Sequence, residues 1–211
     1  TQLGEIAIEE NNPEEAINLF LYAIKNNNNA IDLLYPLAMA YGESNLFLQS
    51  ATTLQHILKL YPENPEINYQ LAIIYKEMGL HSLSISHLNK YVYFYGDDPI
   101  AFYLLGECYF KINDYNNAKL AFERSHKLNT GDYRTLFHIG LVSEALDNYD
   151  IAAKSYKKAI KINSEHILSH YNLGLSYLAL GKKREAMKKL DILYMLDRDL
   201  HDSLSLRINS F

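Results

Sequence analysis

Several absences in this sequence narrow its function before its positive features are read. One cysteine, Cys108, cannot form an internal disulfide. It lies in an apolar helical stretch with no neighbour that lowers a thiol pKa, so a buried small hydrophobe is expected. There is no apolar run near 18 residues, so nothing has the length to cross a membrane as a helix. No secretory leader opens the chain. A cytoplasmic address is expected, and the start at Thr1, inside a repeat, reads as a fragment or processed form. No phosphate-cradling glycine loop, no His-Glu-x-x-His motif and no nucleophile elbow occurs. The expectation is therefore no enzyme and no cofactor. Positive charge is scarce at the start: residues 1–105 hold 4 Lys and 12 Asp or Glu, against 16 Lys or Arg and 13 Asp or Glu in 106–211. The net charge of −5 argues against nucleic acid as a partner, because phosphate binding needs a basic footprint. The uneven split makes head-to-tail self-association an expectation.

What is present is a period of 34 residues. In blocks starting at Ile31, Pro65, Pro99, Tyr133 and Ile167, the eighth places are Ala38, Ala72, Gly106, Gly140 and Gly174, with Gly4 one period earlier. The twentieth places are Ala16, Ser50, Ser84, Ala118, Ala152 and Ala186. All are Gly, Ala or Ser, which together make up about a quarter of an average chain, so chance does not produce the pattern. A strict period of this length means stacked supersecondary units, each touching only its neighbours.

Each block reads as two amphipathic helices. In Pro99–Asp132, Asp98 is placed to cap the first helix and Pro99 suits its first turn. Phe102, Leu105, Gly106 and Tyr109 then recur at helical spacing. Asn113 breaks the pattern, and a second helix from Tyr115 carries Ala118, Phe122, Ser125 and Leu128. The break residues are Asn11, Asn45, Gly79, Asn113, Asp147 and Gly181, the types that tolerate a left-handed backbone. Small residues at the eighth and twentieth places allow close helix approach. Large ones at the twenty-fourth (Phe20, Leu54, Leu88, Phe122, Tyr156, Leu190) fill the space beside them. Pro36 removes a backbone donor within a first helix, which should start late or kink. The tail, His201–Phe211, continues the register, with Leu204, Ile208 and Phe211 on one face.

The series Leu105-Gly106…Tyr109…Ala118…Phe122, and Leu173-Gly174…Tyr177…Ala186, resembles the tetratricopeptide repeat (TPR) family. The resemblance covers residues 1 to about 200. It implies an all-α, right-handed α-solenoid of about six helix-turn-helix repeats plus a C-terminal capping helix. The expected organisation is one array over 1–211: a partial repeat 1–30, repeats 31–64, 65–98, 99–132, 133–166 and 167–200, and a cap helix or truncated repeat at 201–211. Bulk at the twenty-seventh place (Ile57, Tyr91, Leu193) departs from the family and predicts irregular stacking around repeats two to three.

The resemblance also implies that first helices line a concave groove at the second, fifth, ninth and twelfth places. The fifth places are all aromatic: Tyr35, Tyr69, Tyr103, Phe137 and Tyr171. The expected partner groove comprises Tyr69, Tyr103, Glu107, Phe110, Arg134, Phe137, Leu141, Tyr171, Leu175 and Leu178. From Phe110 to Leu178 it should expose a sizeable apolar surface, the mark of a partner site. Some of the aromatics, Tyr35 and Tyr69 above all, have an equal reading as packing. The family's clamp for a C-terminal carboxylate needs Lys at a fifth place and Asn at a ninth; neither is here. His166 and His170 have metal-ligand spacing but no third ligand, so no metal is expected. Lysines 154, 157, 158, 161, 182, 183, 188 and 189, with Arg184, read as a solvated outer face. The expected function is a protein-interaction scaffold binding a peptide or helical segment. The alternative is the substrate-selecting array of a larger enzyme such as a glycosyltransferase, and a third reading is a secretion or envelope-assembly factor.

Overall fold

The computed structural model describes residues 2–26 and 31–210. Among them are thirteen α-helices, one 3-10 turn and no strand. The chain divides into two compact units, Thr1–Gly96 and Asp97–Phe211. The first holds α1 (Gln2–Glu9), α2 (Pro13–Asn26), α3 (Leu34–Glu43), α4 (Phe47–Leu60), α5 (Pro65–Glu77) and α6 (His81–Phe94). The second holds α7 (Pro99–Lys111), α8 (Tyr115–Leu128), α9 (Tyr133–Ala145), α10 (Tyr149–Ile162), α11 (Ile167–Ala179), α12 (Lys183–Leu196) and α13 (Arg198–Asn209). From α4 through α12, helix starts recur at the expected period. Within each unit, helices pack on their chain neighbours, as stacked repeats do.

The reversal inside each repeat is encoded as predicted. Asn11, Asn45, Asn113 and Asp147 have φ of 57–60°, and Gly79 and Gly181 have φ of 74° and 69°. Each sits in a Schellman arrangement. In repeat four, Asn113 N donates to Phe110 O and Asp114 N to Tyr109 O, at 3.0 and 2.9 Å. First helices are capped from the place before them: Asn64 accepts from Ile67 N, Asp98 from Ile100 N and Ala101 N, and Asp132 from Arg134 N. At α11 the capping place is His166, which makes no cap bond. Pro36 acts as expected: a 3-10 turn, Ile31–Leu33, precedes a late-starting α3.

The tail corrects the expected register. The last helix starts at Arg198, three residues before the period predicts. The cause is local: Leu200 occupies the capping place and has no oxygen to offer. Asp197, three residues earlier, accepts from Leu200 N at 3.0 Å and starts the helix there. Leu204 and Ile208 are buried; Phe211 lies outside the described residues.

The core is built at the eighth, twentieth and twenty-fourth places. A Cβ on Gly106 would stand 2.6 Å from the Phe122 ring, and one on Gly140 2.3 Å from the Tyr156 ring. Ser50 Oγ donates to Ala38 O, and Ser84 Oγ to Ala72 O, both at 2.7 Å. In repeat six the expected filler, Leu190, is only half-buried; Leu204 of α13 fills the Gly174 space, 2.7 Å from where a Cβ would be. Bulk at the twenty-seventh place is absorbed: Ile57 and Leu193 are buried, and Tyr91 lies against Tyr69 with ring centroids 4.6 Å apart. Cys108 is buried.

Candidate functional site

Of the expected groove residues, Tyr69 belongs to the first unit and the others to the second. Tyr69 is half-buried against Tyr91. In the second unit, three come together on α7 and the start of α9. Tyr103 meets the His138 ring edge-on at 5.3 Å and has its hydroxyl 3.3 Å from His138 Nδ1. The guanidinium of Arg134 stands 5.9 Å from the Tyr103 ring centre, and Asp132 holds it through Nε and Nη2 at 3.0 and 3.2 Å. Burial, and then the Glu107 charge, push the Tyr103 hydroxyl pKa well up, so it stays protonated. For Asp132, burial acts upward, but the bonds and charge of Arg134 outweigh it and hold the carboxyl below the usual range.

The open apolar surface expected from Phe110 to Leu178 is largely closed. Phe137 and Leu178 are buried. The Phe137 ring packs against His166 at 4.8 Å and Tyr156 at 5.7 Å. Tyr171 is half-buried with its hydroxyl 3.0 Å from Ser203 Oγ on α13. Phe110, Leu141 and Leu175 are half-buried, with Phe110 5.5 Å from the Tyr115 ring. Around Phe137 two histidines help close the face: His138, which the sequence pattern did not single out, meets its ring at 5.5 Å, and His166, read there only for its spacing to His170, meets it from the capping place of α11. His138 stacks on Phe122 at 5.1 Å, and His166 lies against Tyr133 at 4.9 Å. Imidazoles thus pack edge-on against Phe137 and stack on the core ring of Phe122.

Glu144, at a twelfth place, is a further polar group on this face. Its Oε2 accepts from Tyr156 Oη at 2.9 Å and its Oε1 from Ser176 Oγ at 2.7 Å. Burial raises its pKa against those two bonds. A cavity of about 420 Å³ opens beside it, walled also by Tyr149, Leu175, Leu178 and Ala179, and by Arg207 and Ser210 of the tail. The only advance signal was an acid where the other repeats have Gly42, Lys76, Phe110 and Leu178.

On the outer helices, Lys154, Lys157, Lys158, Lys161, Lys182, Lys183, Arg184 and Lys188 are exposed. Lys182 pairs with Asp150 at 3.6 Å. His170 is buried with Nε2 donating to Ser164 O at 2.8 Å, while His166 Nδ1 meets Ser169 Oγ at 2.7 Å. Among the described residues, no three His, Cys, Asp or Glu side chains converge as metal ligands, and no helix is long and apolar enough to cross a membrane.

Tetratricopeptide-repeat family models match residues 100–131, 143–181 and 169–194. These segments are tetratricopeptide repeats. The solved structure of MamA protein is 27% identical, with a TM-score of 0.74 over 76% of this chain and 88% of that one. A tetratricopeptide repeat protein from Parabacteroides merdae is 16% identical, with a TM-score of 0.79 over 98% and 83%. YrrB, a TPR protein with an unusual peptide-binding site, is 19% identical, with a TM-score of 0.77 over 91% and 98%. The last two establish the fold alone. Among curated proteins none matches. The TPR assignment agrees with the small-residue core, which the structure explains repeat by repeat.

Proposed function

We propose that this chain is a protein-interaction scaffold, and that the first helices of the Asp97–Phe211 unit take up a peptide or helical segment. The observation that carries the reading is the contrast between first and second helices. On α10 the outward side chains are mostly lysines, Lys154, Lys157, Lys158 and Lys161, and α12 carries exposed Lys183, Arg184, Glu185 and Lys188 beside Met187, Tyr194 and Met195. On α7, α9 and α11 the fifth, ninth and twelfth places keep half-open side chains of mixed character: Tyr103, Glu107, Phe110, Leu141, Glu144 and Leu175. Aromatic and aliphatic area supplies affinity, while Glu107 and the exposed Arg134 supply orientation. The fold shared with YrrB is compatible with peptide binding.

Phe137 is buried, so its replacement would cost about 3–5 kcal/mol and report folding rather than binding. Arg134 is the sharper probe. Peptides selected from a displayed random library against the purified chain are expected to protect α7, α9 and α11 from hydrogen exchange. They should weaken by about tenfold with Arg134→Ala. A selection without ligands, or ligands that protect only α10 and α12, rejects the reading.

A further inference from the structure

The cavity beside Glu144 carries opposite charges on two walls. Its volume of about 420 Å³ lies in the range of sites for small ligands, about 300–1,000 Å³. Glu144 is oriented by two neutral hydroxyls, those of Tyr156 and Ser176. Each carboxylate oxygen retains a second acceptor position. Among the described residues neither Glu144 nor Arg207 forms an ion pair. A half-buried carboxylate without a counter-charge is unfavourable for the free protein. It becomes favourable once a cation enters. Leu175 and Leu178 offer apolar wall to an alkyl stem, the part of Lys or Arg that buries readily. Arg207, which lines the same cavity from α13, offers the planar fork that a carboxylate fits.

We propose that this cavity is a recognition pocket for a basic peptide residue, lysine or arginine, that has a carboxylate beside it. Glu144 takes the side-chain cation and Arg207 the carboxylate. The proposal rests on the peptide-binding reading above and gives that peptide its anchor. It differs from the Lys/Asn carboxylate clamp that the fifth and ninth places lack, because here a side-chain cation is the principal feature read.

Three probes titrated into the full chain and followed by amide NMR test it. Nα-acetyl-L-arginine has a terminal carboxylate, acetyl-Arg-Asp-amide has one on a side chain, and acetyl-arginine amide has none. At least one carboxylate-bearing probe should shift the amides of Leu175, Ala179 and Ser210 saturably, and the tighter of the two identifies the carboxylate's source. Acetyl-arginine amide should bind about tenfold more weakly. Glu144→Gln should weaken the carboxylate-bearing probes about tenfold or more, and Arg207→Gln should lower them to the level of the amide. Equal binding of all three probes, no saturable shift, or unchanged binding in Glu144→Gln overturns the pocket. Glu144→Gln keeps the side-chain shape and removes a half-buried charge, and a melt followed by circular dichroism checks that it folds. If the probes fail while library peptides still protect α7 and α9, the pocket falls and the scaffold reading stands. If the probes bind and no library peptide does, the pocket stands and the scaffold reading falls.

Discussion

Repeats two and three meet the same close helix approach as repeats four and five, with different chemistry. In repeats two and three the eighth, twentieth and twenty-fourth places read Ala–Ser–Leu: Ala38, Ser50, Leu54 and Ala72, Ser84, Leu88. In repeats four and five they read Gly–Ala–aromatic: Gly106, Ala118, Phe122 and Gly140, Ala152, Tyr156. Gly4, Ala16 and Phe20 follow the second pattern inside the first unit, so the choice does not belong to one half of the chain. In the first solution a hydroxyl ties the helices and a modest Leu fills the seam. In the second an aromatic ring occupies the volume that a Cβ would take. A small residue at the eighth place is therefore one member of a jointly chosen set, and exchanging one member alone should fail.

Gly140→Ala should break the comparison most severely. The new Cβ would lie 2.3 Å from a ring carbon of Tyr156, a side chain with no exposed surface and no room to retreat. Overpacking of this kind costs about 1–3 kcal/mol or more, against a helix-propensity gain of about 1 kcal/mol. A net loss of about 2 kcal/mol is expected in urea denaturation. Adding Tyr156→Leu reproduces the Ala–Leu pairing of repeat three and should recover most of it. A strictly additive double mutant would show that the two places are independent.

That covariation was readable in the sequence, as were the reversal residues and the Asp caps, because each follows from backbone geometry or from one missing carbon. The early start of α13 was readable too: Leu200 cannot cap and Asp197 can. The groove was less legible. Periodicity says which face a residue occupies, but not how far a neighbouring side chain reaches over it. Phe137 has the right place for a groove residue, yet His138 and His166 bury it. Glu144 stands at a groove-facing twelfth place, but nothing in the period shows that the hydroxyls of Tyr156 and Ser176 hold it.

Histidine sharpens the contrast through pH. Burial lowers the pKa of His138; Glu107, Asp132 and its bond to the Arg134 carbonyl oppose this, and the Arg134 charge adds to it. Burial also lowers His166, with further help from His138 and His170. The same cause lowers His170, with its bond to Ser164 opposing and Lys189 assisting. In the first unit His87 is lowered by burial and by Lys90. The unfolded imidazole titrates near 6.5, so below that pH the unfolded chain binds more protons than the folded one. Stability is complete above about pH 6.5 and declines as the pH falls toward the folded values. Glu144 acts in the opposite sense, because its raised pKa lets the folded state accept a proton first. Burial and the Lys158 charge lower His126 as well, so with four such imidazoles against one such carboxyl in the second unit, melting temperature should drop by a few degrees between about pH 7.5 and pH 5.5. Hydrogen exchange should rise first along α9 and α11. His138→Gln should flatten the profile, and an unchanged slope would remove His138 from this account.

The smallest expected effect falls on the other side of the comparison. Ser84 is fully buried and its hydroxyl donates to the carbonyl of Ala72. Ser84→Ala loses a hydrogen bond worth about 1 kcal/mol and regains part of it through the better helix propensity of alanine. The net loss should be about 0.5 kcal/mol, well below that of Gly140→Ala, because no atom is forced into occupied space. Converting the whole set, with Ala72→Gly and Leu88→Phe added, supplies the ring that repeat four uses in place of the hydroxyl. It should therefore be more stable than Ala72→Gly alone, which removes a Cβ and puts nothing in its volume. If Ser84→Ala proves neutral, the serine is only a small residue, and the paired choice contracts to the eighth and twenty-fourth places, where steric volume alone decides it.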